Sequence, residues 1–159
     1  MKVFVDTEIW IFGQKIPLKS KFQNATEYKK YYNMHEKAKE FLIQKISNDE
    51  ICMTFHQLCE IFHSLAFRGK RFSKEKAKEY CSSLINSDFI YWYPIELKDI
   101  IKATQLSSES NIHIWDYLCI IPLYEAVDVI FTCDQHFQHS SFQNMGPPVK
   151  NPIGEWITL

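Results

Sequence analysis

The chain opens with the sequence KVFVD at residues 2–6, and the interpretation of the whole chain starts from this run. Its apolar and β-branched residues are too few for a helix but sufficient for a short buried strand, which we expect to end at Asp6. Three further runs of this kind lie at residues 50–53, 89–93 and 127–132. The sequence therefore predicts four separate short strands.

Segments with helical periodicity lie between these runs. We expect helices at residues 24–46, 54–67, 73–86, 97–108 and 115–125. Asn24 with Glu27, and Thr54 with Gln57, have the spacing of capping boxes, which marks the first two helix starts. Pro122 is expected to kink the last helix or to end it early.

Residues 13–23 are predicted to form a loop, because Gly13 and Pro17 both interrupt regular structure. Strands that alternate with helices are typical of an α/β fold with a mainly parallel central sheet. Right-handed connections would place helices on both faces of that sheet, giving an α/β/α sandwich of three layers. No internal repeat or linker is evident, so one domain is expected over residues 1–159.

Composition narrows the class of protein. Apolar residues make up 46% of the chain, which is typical of a globular domain rather than a disordered one. The net charge of −1 gives no global signal for nucleic acid, so such a partner must be argued from local chemistry. The five cysteines include no Cys-x-x-Cys pair, and we interpret them as reduced core residues. Without a signal peptide or a long apolar run, a soluble, cytoplasmic protein with no membrane partner is expected.

Four acidic residues stand where the predicted fold can bring side chains together. Asp6 ends the first predicted strand, and Asp134 lies just beyond the C-terminal end of the last one. Asp116 lies near the start of the last helix, and Glu60 lies on the helix after the second strand. Functional groups collect at the carboxyl ends of parallel strands, and carboxylates forced together need a compensating cation. Their hard oxygen atoms suit Mg²⁺ or Mn²⁺, which can polarise a phosphodiester and activate an attacking water.

Each of these acids also has an ordinary structural explanation. An acid at a strand end is often a solvated loop residue, and an Asp near a helix start, such as Asp116, is a common cap. Glu60 is explained by periodicity alone if Phe55, Cys59 and Phe62 form the buried face of its helix. The polar side would then carry Glu60 with His56, Gln57 and Ser64.

The order of the acids resembles that of the PIN-domain family. The matching pieces are VFVDT at residues 3–7, Glu60 on its helix, Asp116 at a late helix start, and FTCDQHF at residues 131–137. The resemblance runs from Met1 to about Phe142. It implies an α/β/α sandwich and an Mg²⁺- or Mn²⁺-dependent endoribonuclease. Small stand-alone members resemble the VapC toxins, which are homodimers silenced by a partner antitoxin, so an RNA substrate, a second copy and an antitoxin are the implied partners.

The resemblance also implies roles for individual residues. Asp6, Glu60, Asp116 and Asp134 would be both the catalytic acids and the metal ligands. Thr7 and Thr132 would support them through their hydroxyl groups. Glu8 stands where many members have Asn, and it either joins the site or points away. The stretch after Asp134 lacks the further acid of many members and instead carries Gln135, His136, Gln138 and His139.

The densest basic stretch contains Arg68, Lys70 and Arg71, which could bind a phosphate backbone in a salt-dependent manner. The competing explanation is a solvated loop and helix face.

Two alternatives to the nuclease remain. One is a zinc site formed by Cys133, His136 and His139, with His113 as a fourth ligand. The other is a catalytically inactive PIN-like module that binds RNA or acts as a scaffold.

Overall fold

The computed structural model describes residues 1–158. Its central sheet has five strands, β1 (Lys2–Val5), β2 (Glu50–Thr54), β3 (Ile90–Tyr93), β4 (Val129–Phe131) and β5 (Val149–Lys150). All neighbouring strands pair in parallel, in the order β3-β2-β1-β4-β5. The N-terminal strand is therefore central, and the carboxyl ends of β1 and β4 lie side by side.

Within residues 1–158, seven α-helices surround the sheet. They are α1 (Thr7–Gln14), α2 (Ala25–Asn48), α3 (Phe55–Phe67), α4 (Lys74–Ile85), α5 (Leu97–Ser110), α6 (Ile114–Ile120) and α7 (Ser140–Gln143). Side chains alternate along β1, so that Val3 and Val5 pack into one apolar core with α1 to α4. Phe4 points into a second core that α5, α6 and α7 complete. The predicted three-layer α/β/α sandwich with a parallel sheet is thus confirmed.

The predicted helix starts are confirmed in detail at three caps. Asn24 Oδ1 accepts a hydrogen bond from the Glu27 backbone N–H, and Thr54 and Ser73 cap α3 and α4 in the same way. These short polar side chains satisfy N–H groups that a helix leaves unpaired at its first turn. The last long helix was expected to be disturbed by Pro122, and α6 does end at Ile120.

Helix α1 was not predicted, and the predicted loop at residues 13–23 begins too early. Asp6 caps α1, and Trp10 on this helix is buried, with its indole N–H donating to the Val5 carbonyl. Gly13 lies inside the helix because α2 passes close by, and a β-carbon there would stand 2.5 Å from Leu42 Cδ1. The glycine reflects helix packing rather than a helix stop.

The face predicted for α3 was also wrong. Phe55 and Cys59 are exposed, whereas Gln57, Ile61 and Ser64 are buried. Gln57 is drawn inward because its side-chain amide donates to the Val5 carbonyl at 2.7 Å. With Gln57 buried, α3 is oriented so that Glu60 faces the carboxyl end of β1.

Strand β5 lies outside the predicted set as well, since two residues give no periodic pattern. No helix within residues 1–158 combines the length and the apolar character that a membrane crossing requires.

Candidate active site

Asp6 is at the carboxyl end of the central strand, where both of its carboxylate oxygens are held. Oδ1 accepts the Thr7 backbone N–H at 2.8 Å, and Oδ2 accepts the Thr132 hydroxyl at 2.6 Å. The side chain is almost fully buried. Two good hydrogen bonds thus fix the orientation of a carboxylate that has little contact with solvent.

Thr132 connects Asp6 to Asp134 on the neighbouring strand. Its hydroxyl oxygen, which donates to Asp6, also accepts the Asp134 backbone N–H at 2.9 Å. Asp134 Oδ1 in turn accepts the His136 backbone N–H at 2.9 Å. Both acids end adjacent parallel strands, as expected from the sequence.

Glu60 approaches the same point from α3. Thr7 donates its hydroxyl hydrogen to Glu60 Oε2 at 2.6 Å, and the Cys119 thiol lies 3.5 Å from the same oxygen. Thr7 therefore binds Asp6 through its backbone and Glu60 through its side chain. Both threonines singled out from the sequence make hydrogen bonds to the acids.

Asp116 joins the group through a histidine. His136 Nδ1 lies 2.9 Å from Asp116 Oδ2 and 3.5 Å from Asp134 Oδ2. One ligand atom from each of Asp116, Asp134 and His136 falls within 4.8 Å of the others. The charges of Glu60, Asp116 and Asp134 all act on the Asp6 carboxyl, so these four acids lie near one another, and we call them the acidic cluster.

The acidic cluster opens to solvent through a cleft of about 260 Å³. The cleft is lined by Glu8, Glu60, Arg68, His113, Trp115, Asp116, Asp134 and His136. Asp6 is buried and is not part of this lining. Glu8, whose direction the sequence left open, faces the cleft, so five carboxylates lie in or beside it.

Burial and repulsion between neighbouring carboxylates make ionisation of Asp6, Asp116 and Glu8 unfavourable. Burial, together with the charges of Asp134, Glu60 and Asp116, raises the pKa of Asp6 well above its usual value. Burial and then Asp134 raise the pKa of Asp116 to about 6, although His136 opposes this shift. Burial and Glu60 raise the pKa of Glu8 to about 7. A cation bound in the cleft would relieve this unfavourable concentration of negative charge.

We expect the metal-free protein to lose stability as the pH rises from about 5 to about 8. The pKa values of Asp6, Asp116 and Glu8 are higher in the fold than in the unfolded chain. Their contribution is therefore fully present below the unfolded pKa and is lost as the pH passes the folded values of about 6 and about 7. Thermal melts in EDTA should show Tm falling by about 5 °C or more over this range.

Added Mn²⁺ should raise Tm more at the upper end of that range, because the ionised carboxylates bind the cation. A metal-free Tm that increases steadily up to pH 8 would contradict this account of the cluster.

The donor set fits Mg²⁺ or Mn²⁺. Oxygen atoms predominate, and the carboxylates come from four separate segments of the chain that the fold holds in place. One imidazole, that of His136, adds a nitrogen donor that Mn²⁺ accepts more readily than Mg²⁺.

The basic residues suggested by the sequence separate in the structure. Arg68 lines the cleft and faces Glu8. Lys70 donates to the Ile16 carbonyl at 3.2 Å, and Arg71 is exposed outside the cleft lining. Only the first of the three lies where a phosphate near the acidic cluster could contact it directly.

The predicted zinc ligands do not assemble among the described residues. Cys133 is completely buried, and its thiol is not grouped with the two histidines within 4.8 Å. His139 Nδ1 instead bonds the Ser141 hydroxyl at 2.9 Å. The Cys-x-x-His-x-x-His spacing therefore does not form a metal site.

Three residues near the cluster were not assigned there from the sequence. His136 was considered only as a zinc ligand, yet it contacts Asp116 and Asp134. His56 was placed on the same side of its helix as Glu60, one helical turn before it, but was given no role at the site. Cys119 gave no comparable signal, because its place depends on how α6 packs against α3.

No protein-family model and no curated protein matches this chain. Solved structures do match, and three of them are 13–16% identical to this chain. VapBC2 from Rickettsia felis, bound to a DNA fragment from its promoter, is 16% identical, with a TM-score of 0.56 and coverage of 95% of this chain and 98% of that chain. VapC20 from Mycobacterium tuberculosis, described as a sarcin-ricin-loop-cleaving toxin, is 15% identical, with a TM-score of 0.63 over 86% and 92%.

The third structure, FitAB bound to an IR36 DNA fragment, is 13% identical, with a TM-score of 0.54 and 95% coverage of both chains. At these identities the likeness establishes the fold. The PIN-like, VapC-like fold expected from the sequence is confirmed, and the chain spans nearly the full length of each structure.

Proposed function

We propose that this chain is a divalent-metal-dependent endoribonuclease and the toxin of a toxin–antitoxin pair. The observation that carries the proposal is the convergence of Asp6, Glu60, Asp116 and Asp134 at one edge of the sheet, beside an open cleft. Buried, mutually repelling carboxylates are costly to a fold unless a cation compensates them. The toxin-like fold supports the same assignment.

Asp6, Glu60, Asp116 and Asp134 would hold Mg²⁺ or Mn²⁺. When bound, such an ion polarises the phosphodiester and lowers the pKa of an attacking water. Thr7 and Thr132 orient Glu60 and Asp6 by donating hydroxyl hydrogens to them. Preorganised side chains of this kind need little rearrangement when charge develops during the reaction.

RNA is the proposed substrate, and Arg68 the residue best placed to bind a phosphate at the cleft. Lys70 and Arg71 would extend the basic surface beyond it. An antitoxin and a second copy of the chain are the proposed partners. Two of the similar structures, VapBC2 and FitAB, are complexes bound to DNA, and this supports a partner protein.

The decisive experiment is cleavage of a labelled single-stranded RNA by the purified chain. We expect internal cleavage with Mn²⁺ or Mg²⁺, none in excess EDTA, and recovery when metal is restored. RNA that is bound but never cut under any of these conditions would support the inactive binding module instead. Cleavage that persists in EDTA would overturn the proposed role of the acidic cluster.

A further inference from the structure

A second group of metal-binding side chains lies beside the acidic cluster. A ring nitrogen of His56, a carboxylate oxygen of Glu60 and the sulfur of Cys119 all lie within 4.8 Å of one another. His56 and Glu60 are four residues apart on α3, so they share one side of that helix. Cys119 is on α6, which packs against α3.

The separation of sulfur and oxygen matches a tetrahedral site. Zinc binds sulfur at about 2.3 Å and oxygen at about 2.0 Å, which places the two donor atoms about 3.5 Å apart. Cys119 Sγ and Glu60 Oε2 are 3.5 Å apart. These two ligands therefore already have the spacing that zinc requires.

His56 supplies an independent reason to place a ligand here. Its Nε2 atom is buried and has no hydrogen-bond partner within the described part of the chain. The ring stacks on Trp115, with centroids 5.1 Å apart and planes inclined by 17°. Buried polar atoms without a partner are uncommon in proteins, and this one lies on a ring that packing holds in position.

We propose that His56, Glu60 and Cys119 form a zinc site that shares Glu60 with the acidic cluster. Binding releases the thiol proton of Cys119 to solvent and leaves three protein ligands, with water in the fourth position. Nitrogen and sulfur donors favour zinc over Mg²⁺ and Mn²⁺.

Sharing Glu60 gives the site a regulatory consequence, which rests on the proposed nuclease function. Glu60 Oε2 accepts the Thr7 hydroxyl and also faces the Cys119 sulfur. Zinc at this oxygen removes it from the hydrogen bond that ties Glu60 to Thr7. Zinc therefore inhibits cleavage by withdrawing one carboxylate from the acidic cluster.

Binding is tested on the reduced chain with Co²⁺, a spectroscopic substitute for zinc. The acidic cluster can also take Co²⁺, so the readout is the thiolate-to-cobalt absorption band, which we expect to saturate at one Co²⁺ per Cys119 thiol and to disappear on adding zinc. Cys119→Ser should abolish the band, whereas Cys59→Ser, which removes an exposed cysteine of α3, should preserve it. His56→Phe keeps an aromatic ring against Trp115 and should weaken cobalt binding at this site at least tenfold. If Cys119→Ser does not fold, the His56→Phe measurement tests the zinc site in its place.

Absence of the thiolate-to-cobalt band in the wild-type chain, a band that survives Cys119→Ser, or a band in His56→Phe that saturates at the same cobalt concentration as in the wild type would overturn the zinc site. Inhibition is tested separately, with each protein compared with its own zinc-free rate. Equimolar zinc should lower Mn²⁺-dependent cleavage at least tenfold in the wild type and less than twofold in His56→Phe. A wild type that never cleaves RNA defeats the proposed function, but the cobalt measurement still decides the zinc site. Cobalt binding combined with zinc-insensitive cleavage would overturn the regulatory role.

Discussion

Replacing Asp6 by Asn is expected to reduce metal-dependent RNA cleavage at least about 100-fold, equivalent to about 3 kcal/mol of activation free energy. Asp6 is held by Thr7 and Thr132 in a single orientation, and Asn retains its size. The Asn oxygen can still accept the Thr7 backbone N–H, and its amide N–H can donate to the Thr132 oxygen, so the substitution removes the charge that binds metal while preserving the shape of the site. Asp134→Asn should have an effect of similar size. Single-turnover cleavage rates at saturating Mn²⁺ measure both.

The same substitution should stabilise the metal-free protein. Burial and three neighbouring acids raise the pKa of Asp6, so at neutral pH its ionised form opposes folding. We expect Tm in EDTA to rise by about 2 to 4 °C for each kcal/mol of repulsion removed. Asp88→Asn is the matched control, because Asp88 is exposed in the turn before β3, at the opposite edge of the sheet.

Loss of activity combined with gain of metal-free stability is the signature of a functional acid. If every substitution in the acidic cluster instead lowered Tm clearly in EDTA, the four carboxylates would be structural residues. If Asp6→Asn retained full cleavage, the proposed metal site would be wrong while the fold would stand.

The acids at strand ends could be predicted because they depend on local patterns. Residues 2–6 and 127–134 each combine a short apolar run with an acid directly or almost directly after it. Parallel pairing then brings Asp6 and Asp134 to the same edge, whatever the helices do. Capping side chains such as Asn24 were predictable for the same reason, since a cap needs only its own first turn.

The orientation of Glu60 could not be derived from periodicity. Helix α3 carries apolar residues on more than one side, and a hydrogen bond between Gln57 and the Val5 carbonyl selects the side that is buried. Those partners are 52 residues apart, so no local window contains the information. The resemblance to the PIN family assigned Glu60 a role that the periodicity of its own helix opposed.

The positions of His136 and Cys133 also could not be derived from local sequence spacing. The spacing of Cys133, His136 and His139 indicated zinc, but Cys133 points into the core while His136 turns to Asp116. Successive side chains leaving a strand end point in different directions, so sequence neighbours separate and distant residues meet. The zinc site proposed here therefore uses none of the three residues whose spacing indicated zinc.

Replacing Thr132 by Val is expected to lower both stability and activity, whereas replacing it by Ser should largely preserve activity. Thr132 is fully buried, and its hydroxyl donates to Asp6 Oδ2 and accepts the Asp134 backbone N–H. Valine has nearly the same shape but leaves both of these buried groups without a partner. Each group left without a partner costs about 1–3 kcal/mol, so the two together cost about 2–6 kcal/mol, and we expect a fall in Tm of about 4 to 24 °C.

Activity should respond because the Thr132 hydroxyl holds Asp6 and Asp134 in a common geometry. Losing a group that orients metal ligands typically costs about 10- to 100-fold in metal affinity or rate. Serine keeps the hydroxyl and loses only a methyl group, so its Mn²⁺ affinity should stay within about threefold of the wild type while its Tm falls modestly. Calorimetric Mn²⁺ titration of the two variants, below their melting temperatures, separates these effects. Equal Mn²⁺ affinity in the Val and Ser variants would show that Thr132 only fills space, and that the acids are oriented by the surrounding backbone instead.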